Sequence, residues 1–360
     1  MKSALVTGSS GLIGSEMVVT LDREGWAVHG VDNNMRRDFF GPDGDTTPNL
    51  GRLLQVTQRF EHHGLDVRDR DGLAHLLADA RPDLVVHCAA QPSHDLAAKR
   101  PFDDFDVNAV GTLNLLEAAR ASCPESPFVF LSTNKVYGDA PNELELVELE
   151  TRYDYSDPTV REGIDESCRI DATLHSLFGA SKAAADLLVQ EYGRYFGLRT
   201  ACFRGGTLTG PNHSATELHG FLAYIMRCAM TGAAYTVYGY KGKQVRDAIH
   251  SHDLIRAFDA FFKAPRSAEV YNIGGGRFSN ASVLEAIELA QEIGGEELDW
   301  TYDDTNRVGD HLWWIGDNGR FEEHYPTWKL EYDVRRILEE IRDANRERWR
   351  PSTESLSRPA

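Results

Sequence analysis

Gly8, Gly11 and Gly14 stand in the run Val6-Thr7-Gly8-Ser9-Ser10-Gly11-Leu12-Ile13-Gly14, at a spacing suited to holding a pyrophosphate. The first permits a tight turn, the second lets backbone approach the phosphates, and the third lets a helix pack closely against a strand. A helix opening at Leu12 and Ile13 aims free N–H groups at the anion. About twenty residues on, Val31-Asp32 sets a carboxylate where adenosine ribose hydroxyls donate to it, and that charge repels a 2′-phosphate. The expected cofactor is therefore NAD rather than NADP, although Arg36 and Arg37 lie close by. Asn33 follows the carboxylate, Asp66-Val67 supplies the adenine edge, and the small residues Ala89 and Ala90 leave room for the cofactor.

These residues need a parallel sheet to bring them together. Roughly the first two hundred positions alternate short β-rich runs with helical patterns, as right-handed βαβ units do. Strands are expected at Ala4 to Val6, Ala27 to Val31, Arg59 to Gly64, Leu84 to His87, Phe128 to Leu131 and Thr200 to Phe203. Most are continuous apolar runs, as in strands buried on both faces. Amphipathic helices are expected at Ser15 to Glu24, Asp69 to Ala80, Phe105 to Ala121 and Lys182 to Phe196, with Gly25 and Gly197 as stops. Beyond Arg204 come a helix at Phe221 to Met230 and short strands at Tyr235 to Tyr238 and Val270 to Ile273.

The fold class is α/β: a doubly wound parallel (Rossmann) sheet with a smaller, discontinuous α/β substrate domain. Expected limits are 1–204 and 237–268 for the dinucleotide domain, 205–236 and 269–345 for the smaller one, and a frayed tail at 346–360. The acidic, irregular stretch from Pro141 to Asp171 is long for a connection inside a compact domain, which points to a substrate lid.

Composition narrows the function further. The 360 residues carry 38 Lys plus Arg against 56 Asp plus Glu, and a net charge of -18 disfavours nucleic acid and anionic membrane as partners. No apolar run approaches the roughly 20 residues of a membrane helix. Five cysteines without a CxxC spacing, and an N-terminus that runs straight into a strand, point to the cytoplasm and free thiols. The 13 histidines show no pair at metal-ligand spacing backed by Cys or Asp in one loop, so no metal is expected.

The glycine turn, Asp66-Val67, Ala89-Ala90, Asn108 with Gly111-Thr112, and Ser132-Thr133-Asn134-Lys135-Val136-Tyr137-Gly138 together resemble the extended short-chain dehydrogenases/reductases, within them the nucleotide-sugar epimerases and dehydratases. The likeness continues through GYKGKQVRDAIHSHD at 239–253 and Arg307-Val308-Gly309-Asp310, to about Ile341. STNKVYGD at 132–139, Glu150-Thr151-Arg152-Tyr153 and the run from Gly242 to Asp247 are most similar to the branch that epimerises CDP-linked deoxysugars at C2. The resemblance implies bound NAD with contacts from Asn108 and Lys182, and a nucleotide-diphosphate sugar as substrate. It also implies a homodimer through a four-helix bundle, here 105–121 and 182–196, with Leu113, Leu116, Ala119, Leu187, Leu188 and Tyr192 as its apolar surface.

In such enzymes a Ser or Thr, a Tyr and a Lys carry the hydride chemistry, and Thr133 and Lys182 match two of these positions. Phe178, four residues before the lysine and on the same helical face, stands where relatives have Tyr, and it cannot exchange a proton. Three accounts stay open. Another group serves as base, with Tyr137 first among Tyr137, His175, His94 and Cys168; or the chain binds without turnover; or Phe178 is a substitution that traps a complex. Asn134 and Lys135 occupy the positions where dehydratases of this kind have Asp-Glu, so the implied reaction is epimerisation, by oxidation to a ketone and re-reduction. Arg246 and Arg307 match diphosphate-binding arginines, whose guanidinium forks bond two phosphate oxygens at once. Thr207, Asn212, His213, His219, Tyr238 and His250 complete the substrate-side candidates.

Overall fold

The structure is a computed structural model that describes residues 1–213, 215, 220–305 and 310–349. The chain opens with β1 (Ser3–Thr7), α1 (Leu12–Arg23), β2 (Ala27–Val31), α2 (Met35–Phe40), α3 (Thr47–Val56), β3 (Phe60–His63), α4 (Arg70–Ala80) and β4 (Leu84–His87). α5 (His94–Lys99), α6 (Pro101–Phe105), a π-helical turn and α7 (Gly111–Ser122) lead to β5 (Phe128–Thr133). β6 (Leu146–Glu148) and β7 (Tyr153–Tyr155) form a small antiparallel hairpin before α8 (Leu177–Phe196) and β8 (Thr200–Gly205). Then follow β9 (Thr207–Thr209), α9 (Phe221–Thr231), β10 (Tyr235–Tyr238), β11 (Val245–His250), α10 (Ser251–Lys263) and β12 (Glu269–Ile273). β13 (Asn280–Ser282), α11 (Val283–Gly294), β14 (Trp300–Asp303), β15 (Trp313–Trp314), α12 (Gly319–His324) and α13 (Val334–Asn345) complete the order.

Seven parallel strands make the main sheet, in the order β12-β8-β5-β4-β1-β2-β3. Strand order reverses between β1 and β4, and Thr7 lies level with both Val31 and His87, so the ends carrying the site residues open onto one crevice. Residues of alternate strand parity cover the two faces. Val6, Val28, Val86 and Phe203 share a core with Met17, Phe258 and Phe261, whereas Leu5, Val85, Phe128 and Phe130 pack with Leu73, Leu77, Leu115, Leu116 and Val189. Burying each such side chain contributes about 1.5–3 kcal/mol, which is why the apolar runs outweigh any local preference. The smaller body has its own core, built from α9, α11 and α13 around Met226, Ile287 and Ile337.

Three features differ from the sequence expectations. α2 and α3 fill 35–56, where no element was expected; α3 buries only Leu53 fully, too weak an apolar stripe to read, though Pro48 marks its first turn. β12 is the edge of the main sheet rather than part of the smaller body, because Val270 and Ile273 pair with β8 while Tyr271 packs on Phe203 and Phe321. Conversely β11, inside the 237–268 range expected for the dinucleotide domain, pairs with β9, β13 and β15 away from that sheet, and β10, which straddles the expected limit at 236/237, pairs with β14. The supposed lid is strapped down. Arg152 pairs with Glu285, Arg277 Nη1 donates to Asp154 at 2.9 Å, Tyr153 N donates to Lys243 O at 2.9 Å, and nothing in 141–171 lines the main cavity.

Candidate active site

At the topological switch lies a cavity of about 1230 Å³, walled on one side by the glycine turn and on the other by residues of the smaller body. Gly8 adopts φ +66°, and a Cβ there would meet Ala89 N at 2.9 Å. A Cβ on Gly14 would stand 2.1 Å from Gly8 O, so only glycine lets α1 approach this closely. Gly11 precedes α1 with no side-chain cap, which leaves the helix N–H groups for an anion. The hydroxyls of Ser9 and Ser10 are buried in this turn without a protein partner.

Asp32 is held by the chain itself: Ser10 N donates to Oδ2 at 3.0 Å and Asn34 N to Oδ1 at 2.9 Å, fixing the carboxylate toward the cavity that it lines. Asn33 donates to Asp66 at 2.9 Å, and Arg68 forks onto the same carboxylate. Leu12, Ile13, Val67, Ala89 and Ala90 line the same half. So does Arg36, whose guanidinium burial lowers to about 10. A cradle that only glycines permit, orphaned hydroxyls and an oriented carboxylate fit a dinucleotide.

The reacting end sits on β5 and α8. Thr133 ends β5, its Oγ1 accepting from Lys135 N at 3.2 Å. Ser176 caps α8, and one turn separates each of Phe178, Lys182 and Asp186, which therefore share a face. Lys182 donates to Leu131 O at 2.9 Å and stands 4.1 Å over the Phe130 ring; burial lowers its ammonium to about 8. Asp186 below it is paired with Arg204 at 2.7 Å and accepts from Ser132 at 2.5 Å. Thr133, Phe178 and Lys182 all line the cavity.

At the other end Thr207, Tyr238, Asn212, His213 and Arg246 reach the cavity from the smaller body. Arg246 is 2.7 Å from Asp310, and Lys135 lies 3.5 Å from the same carboxylate. Burial works against that charge, but Arg246 and Lys135 hold the Asp310 carboxyl far below its ordinary range. Two cations here thus share one carboxylate.

The chain matches the model of the NAD dependent epimerase/dehydratase family over residues 4–274. It belongs to that family. NAD is accordingly its cofactor, and the glycine cradle described above is where it would be held. Among curated relatives, the CDP-paratose 2-epimerase of Salmonella typhi is 33% identical over 304 residues, 82% of this chain and 86% of that one. The dTDP-glucose 4,6-dehydratase 1 of Escherichia coli K12 is 31% identical over 302 residues, 80% and 77% of the two chains. Among solved structures, the UDP-glucose 4-epimerase of Thermus thermophilus in complex with NAD superposes with a TM-score of 0.76 at 25% identity, covering 96% of this chain and 99% of that one.

Not every residue expected at an epimerase/dehydratase site reaches it. Tyr137, first choice as a substitute base, points away: its hydroxyl donates to Asn272 Oδ1 at 2.7 Å and accepts from Arg204 at 2.9 Å, fully buried, with burial raising the phenol well above its usual range. His175 has both ring nitrogens on carbonyl oxygens, of Val136 at 2.7 Å and Thr173 at 3.2 Å. Cys168 is off the cavity, its thiol pushed up to about 11 by burial. Asn108 is buried beneath the loop after β4, bonded to Gln91, Asp104 and Ser181, so it shapes the wall without reaching the cavity. His250 caps α10 and stacks on Tyr332 at 4.0 Å, 3.1 Å from Glu340, also off the cavity. Arg307 and His219 lie outside the described residues.

Other residues escaped the sequence reading. Lys135, named only as the residue in a dehydratase's Glu position, and Gln244 line the cavity, and Asn49 of α3 donates to Ser10 O at 2.8 Å, latching α3 onto the glycine turn. No local pattern marks them. β2 and β3 also bring His29, Glu61 and His63 together, with His29 Nδ1 3.2 Å from His63 Nε2, a grouping the sequence reading did not name. Parallel pairing, rather than sequence spacing, makes that cluster.

Proposed function

We propose that the chain is an NAD-dependent nucleotide-sugar epimerase that inverts C2 of a CDP-linked deoxysugar through a transient keto-sugar. The observation that carries this reading is the wall just after β5. There Asn134 and Lys135 line the cavity beside Thr133, so no carboxylic acid follows the reactive hydroxyl to drive loss of water. When bound, NAD supplies a hydride acceptor that becomes the donor for the return step. Asp32 holds the adenosine ribose, Lys182 the nicotinamide ribose, and Thr133 the reacting oxygen. Arg246 and Lys135 exchange Asp310 for the substrate's diphosphate, a stronger partner for a guanidinium fork. We extend the reading to a cytoplasmic homodimer paired through α7 and α8, consistent with the absence of any membrane-spanning helix among the described residues.

Incubation of the purified chain with CDP-paratose tests the reaction. The expected product has unchanged mass and inverted configuration at C2 by NMR. A product lighter by one water makes it a dehydratase. Phe178 supports a second reading, an NAD and nucleotide-sugar binder without turnover; binding with no product under any condition favours that alternative.

A further inference from the structure

The geometry points to His94 as the group that exchanges a proton with the sugar hydroxyl, in place of the phenol that Phe178 lacks; this rests on the epimerase reading. Both side chains line the cavity. Their rings meet edge to face, with centroids 5.1 Å apart and 74° between planes, so an imidazole stands against the very side chain whose hydroxyl is missing. Histidine is the side chain whose ordinary pKa lets it take and return a proton near neutral pH.

His94 is also held in place. Its Nδ1 lies 2.6 Å from Ser176 Oγ, and Ser176 is itself fixed as the cap of α8, accepting from Gly179 N at 3.1 Å. The loop that carries it is tied by Gln91, whose N donates to Asn108 Oδ1 at 2.9 Å and whose Nε2 donates to Asp104 Oδ1 at 2.7 Å and Ser93 O at 2.9 Å. The proposal requires the tautomer in which Nδ1–H donates to Ser176 Oγ, which puts the basic lone pair on Nε2. In the oxidation half, the carbinol O–H proton passes to Nε2 while the C2 hydrogen leaves with its electron pair for the nicotinamide of bound NAD, and C–O becomes C=O. In the return half the hydride adds to the other face of the ketone and Nε2–H gives the proton back, so histidine and cofactor end unchanged.

The other candidates are placed less well. Tyr137, His175 and Cys168 lie off the cavity. His213 borders it, but it is buried and its Nδ1 accepts from Ala215 N at 3.1 Å. Lys182 is a cation bonded to Leu131 O. Among the described residues, the charged groups lining the same cavity include Asp95 beside it on α5, Lys135 after β5 and Lys182 on α8.

The test uses NAD-loaded full-length protein and CDP-paratose. His94→Gln keeps the volume and polarity but cannot carry the proton, and kcat is expected to fall by about 10²- to 10⁴-fold. KM and the melting temperature should stay close to wild type, and the acid limb of the kcat profile should disappear. Phe178→Tyr added to His94→Gln should restore turnover with a pH profile governed by the new phenol. In the NAD-loaded protein, the His94 imidazole NMR signal, assigned by its loss in His94→Gln, should shift when CDP-paratose is added. A rate within threefold of wild type in His94→Gln, or an imidazole signal indifferent to CDP-paratose, overturns the proposal. No turnover by wild type also overturns it: turnover then created by Phe178→Tyr leaves the epimerase reading standing, and none created removes that reading too.

Discussion

Asp32 spends one hydrogen bond per carboxylate oxygen on its own backbone, and each oxygen keeps lone pairs for the ribose hydroxyls. Replacing it with alanine should weaken NAD binding by about 1.5–3 kcal/mol for each charge-assisted bond lost. Calorimetric titration of stripped protein with NAD measures this; affinity unchanged in Asp32→Ala would remove the residue from the site. The placement of Asp32, Gly8, Gly14 and Lys182 on one cavity was legible in the sequence because it depends on a short, local pattern of turn, strand end or helix face. Tyr137 and His250 were not, because a side chain leaving a strand end is aimed by what packs around it. Asn272 and Arg204 draw Tyr137 into the interior, and Tyr332 with Glu340 draws His250 there. Lys135, read only as a carboxylate that is missing, is a cation on the cavity wall that shares Asp310 with Arg246.

Among the elements, the sheet strands were legible as apolar runs buried on both faces, but α3 was not, since its burial comes chiefly from Leu53 and from the Asn49 latch onto the glycine turn. The edge strand β12 was found in sequence yet assigned to the other body, because an isolated apolar run carries no record of which sheet it joins. α7 and α8 leave an apolar groove lined by Phe105, Ala109, Leu113, Ala184, Leu187 and Leu188. Of the residues expected there, Leu116, Ala119 and Tyr192 are instead buried within the subunit, so the apolar surface open to a partner is smaller than the sequence suggested. We expect Leu187→Asp, on a side chain 44% exposed in the isolated subunit, to convert a dimer to a monomer with little loss of subunit stability. Sedimentation velocity at micromolar concentration reads both; a monomeric wild type contradicts the pairing.

At the scale of the whole molecule, buried neutral histidines couple folding to pH. His87 lies fully buried beneath the cofactor crevice between Thr7 Oγ1 at 2.6 Å and Thr112 Oγ1 at 3.0 Å, and burial lowers its imidazole to about 3. The unfolded chain takes up that proton near pH 6.5 and the folded chain does not. The resulting stability is present above about pH 6.5 and lost as pH falls toward 3, at about 1.4 kcal/mol per pH unit. Asp247, raised to about 7 by burial, has the opposite sign, so the informative quantity is the difference between wild type and His87→Gln. Denaturant titrations between pH 7 and about 4 should show that difference shrinking as pH falls; a constant difference contradicts it. The central claim is that hydride leaves and returns to one carbon within one closed site. It is tested most directly with CDP-paratose carrying deuterium at C2, turned over in ordinary water. Retention of that deuterium in the C2-inverted product is the result predicted, and its replacement by solvent hydrogen would contradict the account.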